Sequence, residues 1–253
     1  MNWSFQLYSA RKFPPWDRIL KLLADAGYAE VEGFGGIYDD PAGFRAELDR
    51  NGLAMPTGHF SIDALENDFD GVRRIADALG VKLMVCPYLV PEARPSDTTG
   101  WRGFGERLAK AGERAKAAGY GFAWHNHDFE FKALPDGSVP MEHLLSAAPG
   151  IGWEFDVAWC VRGGSDPMRW IDRHGQRISA VHVKDIARPG EGQDEDGWAD
   201  VGHGSMDWAK LLRALRAETP AKYFIMEQDN PNDIERFARR SLAAVQSYQD
   251  AKG

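Results

Sequence analysis

Apolar runs and amphipathic stretches take turns along this chain from end to end. Residues 3–9 are aromatic and apolar; Pro14 and Pro15 then open Trp16-Asp17-Arg18-Ile19-Leu20-Lys21-Leu22-Leu23, which has helical spacing and is closed by Gly27. The same alternation returns in residues 30–34, followed by a helical stretch over 41–52 with Phe44 and Leu48 on one face. A third strand over 54–61 precedes a helix in which Leu65, Phe69, Val72 and Ile75 keep helical spacing up to Gly80. A fourth strand over 81–86 leads to a long amphipathic helix from about Trp101 to Gly119. Four more pairs follow, with strands over 120–126, 151–157, 178–183 and 223–227 and helices near 141–148, 167–174, 208–216 and 233–248.

Eight strand-helix units without interruption predict an α/β fold, a single (β/α)8 TIM barrel over residues 1–253. An open doubly wound sheet is the alternative. There is no linker rich in Pro, Gly or Ser to split the chain. The longest strand-to-helix connection, residues 186–207, is the natural candidate for a mobile lid.

The ends of four strands carry the candidate chemistry. If consecutive parallel strands converge, Glu130, Asp156, His182 and Glu227 meet at one rim and can hold one divalent metal ion. Three of them have a plainer explanation: a helix cap or internal ion pair for Asp156, a core histidine with a backbone partner for His182, and a cap on the final helix for Glu227. Glu154 and Asp156 share one strand face, where two like charges inside a barrel are costly without a cation. Lys184 has the parity of His182 and points into the same mouth, either to hold a substrate oxygen or phosphate or to pair with Asp156 or Glu154. Glu227 is suited both to bind a metal and to exchange a proton with a substrate carbon.

The fifth strand offers more groups than one ion needs. His125 and His127 share strand parity, while Glu130 lies past the strand and has to fold back over it. Glu130 is favoured as the ligand, with one histidine as general acid or base; the converse assignment stays open. Glu32 and His59 end the second and third strands and join the substrate-binding set, though a helix cap or backbone hydrogen bond would explain either, and Gln228 beside Glu227 joins them. Trp159, with Trp3, Phe34, Trp124 and Trp198, can supply aromatic walls for a sugar or cyclitol, or be ordinary core.

Composition narrows the partners. A net charge of −8 argues against nucleic acid, whose binding depends on lysine and arginine neutralising phosphates. Cys86 and Cys160, the two cysteines, are too few to staple an extracellular scaffold. The start of the chain lacks the basic and apolar segments of a signal peptide, and no run approaches the roughly 20 apolar residues of a membrane helix. The expectation is a cytoplasmic protein with no membrane or nucleic-acid partner, for which a homo-oligomer is as compatible as a monomer.

The run His125-Asn126-His127-Asp128-Phe129-Glu130-Phe131 is one of several motifs that occur in a familiar order. With it stand Glu154-Phe155-Asp156-Val157-Ala158-Trp159, Val181-His182-Val183-Lys184-Asp185, Val201-Gly202-His203-Gly204-Ser205-Met206-Asp207-Trp208 and Met226-Glu227-Gln228-Asp229. Together they resemble the sugar phosphate isomerase/epimerase family of the xylose isomerase-like TIM-barrel superfamily, over nearly the whole chain. The resemblance implies one Mn, Mg, Co or Zn ion held by an acid from strand five, Asp156, His182 and Glu227. The separation of Asp156 and His182 is similar to that of the ligands in the ketose epimerases. This chain departs from those enzymes at Trp124-His125, where they end the strand in a glutamate. It also has Trp159 where endonuclease IV has a further histidine ligand, which tells against a three-zinc repair site.

The leading expectation is a metal-dependent sugar isomerase or epimerase working through proton abstraction next to a carbonyl and a cis-enediolate. Glu227 is one proton partner, and Glu130, His125 or His127 the other. The first rival is a dehydratase or lyase of a keto-sugar, 3-keto-glycoside or inosose, to which a histidine-rich fifth strand brings a general acid near the leaving oxygen. The second is a sugar-binding barrel without turnover.

Overall fold

The structure, a computed structural model, describes residues 2–250. Eight parallel strands close into a barrel in the order β1 (Ser4–Gln6), β10 (Tyr223–Met226), β7 (Ile178–Val183), β6 (Gly152–Asp156), β5 (Gly121–His125), β4 (Leu83–Cys86), β3 (Ala54–His59) and β2 (Glu30–Gly33). A small antiparallel pair, β8 (Asp185–Ile186) with β9 (Trp198–Ala199), stands outside the barrel. The TIM barrel predicted from the alternating pattern is thus the fold observed.

Helices α1 (Trp16–Ala26), α2 (Pro41–Arg50), α3 (Ile62–Asn67), α4 (Phe69–Leu79) and α5 (Thr98–Ala117) follow the first four strands. Helices α6 (Pro140–Ala147), α7 (Val157–Arg162), α8 (Pro167–His174), α9 (Trp208–Glu218) and α10 (Ile234–Asp250) follow the rest. Their starts are written in side chains: Asp40, Asp97 and Asp207 each accept a backbone N–H three residues on. Gly27 ends α1 at φ 104°, a left-handed conformation that glycine adopts without penalty.

Two expectations of the pattern are refined. The helix expected between the third strand and Gly80 is two helices, because the Asp68 side chain accepts from Gly71 N at 3.1 Å and starts α4 afresh. The segment expected as a mobile lid folds instead into the β8–β9 pair, with Trp198 and Asp200 buried.

The core separates into two bodies. The larger fills the space between barrel and helices; the smaller is Leu83, Val85, Ala123, Ala180 and Ile225. These five come from strands spread around the barrel, so they meet only in its interior, where burial of each of the leucine, valine and isoleucine side chains contributes about 1.5–3 kcal/mol. Two residues further along, the same inward parity brings His125, His182 and Glu227 into the layer above this apolar plug.

Candidate metal centre and cavity

That layer is built almost wholly of buried acids and imidazoles. His182 stands at its middle: Nδ1 lies 2.9 Å from Glu227 Oε2, and Nε2 lies 2.7 Å from Glu32 Oε1 and 3.2 Å from Glu154 Oε2. His59 Nε2 is 2.8 Å from Glu154 Oε2 and 3.1 Å from Glu32 Oε1, and Gln6 Nε2 donates to Glu32 Oε1 at 2.8 Å. His125 Nδ1 is 3.2 Å from Glu154 Oε2 but out of hydrogen-bond alignment.

Asp156 closes the layer on the side of β6. Its Oδ1 accepts from Trp159 N at 2.8 Å and starts α7, while Oδ2 has no hydrogen-bond partner. Asn126 fixes the backbone here, accepting from Asp156 N at 3.0 Å and donating to Asp156 O at 3.0 Å. Lys184 Nζ is 2.6 Å from Asp229 Oδ2 and 3.1 Å from Glu227 Oε2, sealed beneath the ring of Trp198.

Burial and crowding push these groups in opposite directions. Burial works to raise the Glu227 carboxyl, but Lys184 and His182 beside it hold it well below the usual carboxylate range. Burial prevails at Asp156, which is pushed up to about 7 despite Lys184 and His182. At His59 and His182 burial opposes charge, yet the surrounding glutamates raise His59 to about 10 and His182 well above its ordinary value. Burial, with cationic neighbours His182 and Lys184 respectively, drives His125 well below the ordinary histidine value and His127 down to about 3.

One group of donors suits a divalent cation. Donor atoms of His125, Asp156, His182 and Glu227 all lie within 4.8 Å of one another, and all four residues are buried. An ion with bonds of about 2 Å needs donors roughly 3–4 Å apart. The unpartnered Asp156 Oδ2 and His125 Nδ1 are what a small inward adjustment would satisfy. His59, His125, Glu154 and His182 form a second such group, sharing two members with the first.

Above the donors opens a cavity of about 940 Å³. His59, His125, His127, Glu227 and Asp229 form its polar end, and Trp159 and Trp198 wall it on one side. His127 packs between Tyr88, Phe129 and Trp159, with its Nδ1 buried and without a hydrogen-bond partner.

Several residues singled out from the sequence sit where expected along the chain but do different work. Glu130, expected as a ligand, lies in a short turn past β5, and its carboxylate accepts from Trp124 Nε1 at 3.0 Å and His127 N at 2.9 Å. It is absent from both donor groups, and His125 stands in its place. Glu32, expected to touch substrate, is fully buried under His182 and His59. Gln228 also faces away from the cavity: its backbone N–H donates to Ser9 Oγ and its amide to Glu195. Lys184 is fully buried and spent on carboxylates. Gln6, Glu154 and Asp229 were absent from the expected site. Glu154 alone carried a signal, sharing a strand face with Asp156; Gln6 and Asp229 carried none beyond their place at strand ends.

Residues 20–248 match the family described as Xylose isomerase-like TIM barrel. The chain is 25% identical to the rhizopine catabolism protein MocC of Rhizobium meliloti, over 86% of this chain and 76% of that protein. It is 23% identical to an inosose dehydratase of Geobacillus kaustophilus (strain HTA426), over 67% of this chain and 62% of that protein's length. A solved sugar phosphate isomerase/epimerase from Parabacteroides distasonis superposes with a TM-score of 0.82 at 22% identity, covering 97% of this chain and 93% of the other.

Proposed function

The chain belongs to the xylose isomerase-like TIM barrel family, and from that premise we propose that it is a divalent-metal-dependent sugar isomerase or epimerase that moves a proton next to a carbonyl. The observation that carries this reading is the convergence of His125, Asp156, His182 and Glu227 beneath a cavity large enough for a sugar. Those four residues would hold a divalent ion, which would supply Lewis acidity beside the substrate carbonyl. The proton itself is the work of side chains. Glu227 lines the cavity as an ionised carboxylate, oriented by Lys184 and His182, and is placed to take the proton. His127 reaches the same space as a neutral imidazole, the form that accepts a proton from a substrate carbon rather than supplies one. The Lys184 ammonium touches no substrate in this reading; it helps to keep Glu227 ionised and pairs with Asp229.

A second reading has one observation in its favour. The β5 end presents two histidines, His125 and His127, rather than a second carboxylate, and a histidine near a leaving oxygen suits dehydration or glycoside elimination after the same deprotonation. The likeness to an inosose dehydratase supports it as well.

The test is turnover of ketoses, keto-glycosides and inososes in deuterated water by protein loaded with Mn²⁺ or stripped by chelator. Solvent label should enter the carbon-bound position only with metal present, and Glu227→Gln should slow exchange roughly a hundredfold or more. Product formed without label, or full activity after chelation, would rule the enediolate route out. An unsaturated ketone absorbance would select the second reading over the first.

A further inference from the structure

The cavity is far larger than one sugar ring. Its volume of about 940 Å³ stands near the top of the roughly 300–1,000 Å³ range that encloses drug-sized ligands. The groups able to deprotonate a sugar, His127 and Glu227, stand at one end above β5 and β10, while Ser61 and Asp68, which also line the cavity, cap α3 and α4 by accepting from Ala64 N and Gly71 N. The other wing is made by the β2 and β3 ends and helices α3 and α4: Phe34, Tyr38, Phe60, Ala64, Val72 and Ile75. Here Tyr38 stacks on Phe60 at 5.0 Å and Phe34 meets Tyr8 edge-on at 5.5 Å, so rings face the space. A second sugar unit in this wing would surrender its hydroxyls' water to aliphatic and aromatic surface, at a cost that an apolar group avoids.

The charges around the cavity speak against a phosphate. Among the described residues, the guanidiniums lining it belong to Arg94 and Arg162, and each has partners. Arg94 donates to Leu89 O and Tyr88 Oη and lies 3.7 Å over the Phe129 ring; Arg162 donates to Asp196 O and lies 3.2 Å over Trp198. Asp68, Asp128, Asp196, Asp229 and Glu227 line the same space. A phosphoryl dianion would meet these five carboxylates against two guanidiniums already turned to carbonyl or hydroxyl oxygens and ring faces, an unfavourable balance of charge.

We infer that the substrate is an unphosphorylated keto-sugar, its ring carbonyl free, that bears an aromatic or branched apolar group in glycosidic linkage, the sugar at the His127 and Glu227 end and the apolar group against Phe34, Tyr38 and Ile75. This deepens the proposed function and rests on it for which end holds the sugar.

Binding to the Mn²⁺-loaded full chain, followed by calorimetry, tests it with matched probes: glucose and galactose, their 6-phosphates, and their phenyl β-glycosides. The phenyl glycoside should bind roughly tenfold or more tighter than the parent sugar, from burial of one ring, and the phosphate no tighter than the sugar. Ile75→Asp should remove about fivefold or more of the phenyl glycoside's advantage while sugar affinity stays within about twofold. Phe34→Ala should act the same way, with melting curves reporting its fold. A phenyl gain below about twofold, or a phosphate that binds tightest, overturns the inference. The two readings fail separately: deuterium exchange with no phenyl preference sinks the apolar wing and leaves the chemistry standing. The expected binding order without exchange sinks the chemistry and leaves the wing.

Discussion

His125, in the fifth strand, lies among the candidate metal donors, and Glu130, in the turn beyond it, does not, the reverse of what the sequence favours for them; the reason is periodicity. Strand parity runs Ala123, His125, and Ala123 is part of the apolar plug inside the barrel, so the His125 ring is delivered to the layer above it. Glu130 has no strand to aim it; a turn over Phe129–Phe131 folds it under the strand end, where it accepts from Trp124 and His127, and burial pushes its carboxyl up to about 8. Parity was legible at Asp156, His182 and Glu227, and at His125 too, but a carboxylate close in sequence outweighed it. The donor set predicts its own pH dependence. Asp156, raised to about 7 by burial, and His182, raised by its glutamates, hold protons in the metal-free barrel near neutrality, and ligands must lose them to bind a cation. Metal binding at about pH 6.5 should therefore release roughly one to two protons, and affinity should fall about tenfold per pH unit per proton as pH drops. Calorimetric titration in two buffers of different ionisation enthalpy measures the number, and a value of zero would remove Asp156 and His182 from the coordination shell.

At the scale of elements, what the alternating pattern conveyed was order, not ends. β7 lies where its apolar run indicated, whereas the single helix expected before Gly80 breaks at Asp68, whose side chain competes for the backbone N–H groups of its own helix. Helix α7 was hidden because Asp156 serves two purposes, ending a strand and capping the next helix, and six residues are too few for a periodic signal. The connection after β7 looked mobile by its glycines and charges, yet it is organised around one buried carboxylate. Asp185 accepts backbone N–H groups from Ile186, Gly202, Gly204 and Met206. Gly204 must lack a side chain, since a Cβ there would meet Asp185 Oδ1 at 2.2 Å. This hub holds Trp198 over Lys184, so it acts on the site from outside. Replacing Asp185 with Ala orphans several buried donors and should cost about 2–3 kcal/mol. In a chain of this size that is a melting point lower by roughly 5–10 °C. Tryptophan fluorescence should also report a loosened Trp198; an unchanged melting point and spectrum would mean that the loop is held by other contacts.

For the whole molecule, the barrel stacks an apolar plug beneath an electrostatically loaded layer, and the two have opposite consequences for stability. Leu83, Val85, Ala123, Ala180 and Ile225 favour folding without condition. The layer above gathers Glu32, Glu154, Asp156 and Glu227 out of water, with half-buried Asp229 at its edge, against one lysine and imidazoles that must charge to balance them. Buried charges repay their desolvation only when fully paired, and Glu32 Oε2, Glu154 Oε1 and Asp156 Oδ2 each lack a hydrogen-bond partner. The metal-free barrel is therefore the less stable form, and a cation bound by the folded chain alone stabilises it by mass action. At a free-metal concentration about a hundredfold above Kd the gain is about 2.7 kcal/mol. Stripping the metal with a chelator should then lower the melting point by roughly 5–10 °C, and Mn²⁺ or Zn²⁺ should restore it in a concentration-dependent way. Replacing His125 with Ala should abolish that dependence; the metal-free melting point should fall as well, because a buried ring leaves a cavity, so the readout is the loss of the response to metal. A melting point indifferent to chelator and to added metal would mean instead that His59 and His182, charged as imidazolium, neutralise the layer without help, and the site would then have to be explained as a purely protonic one.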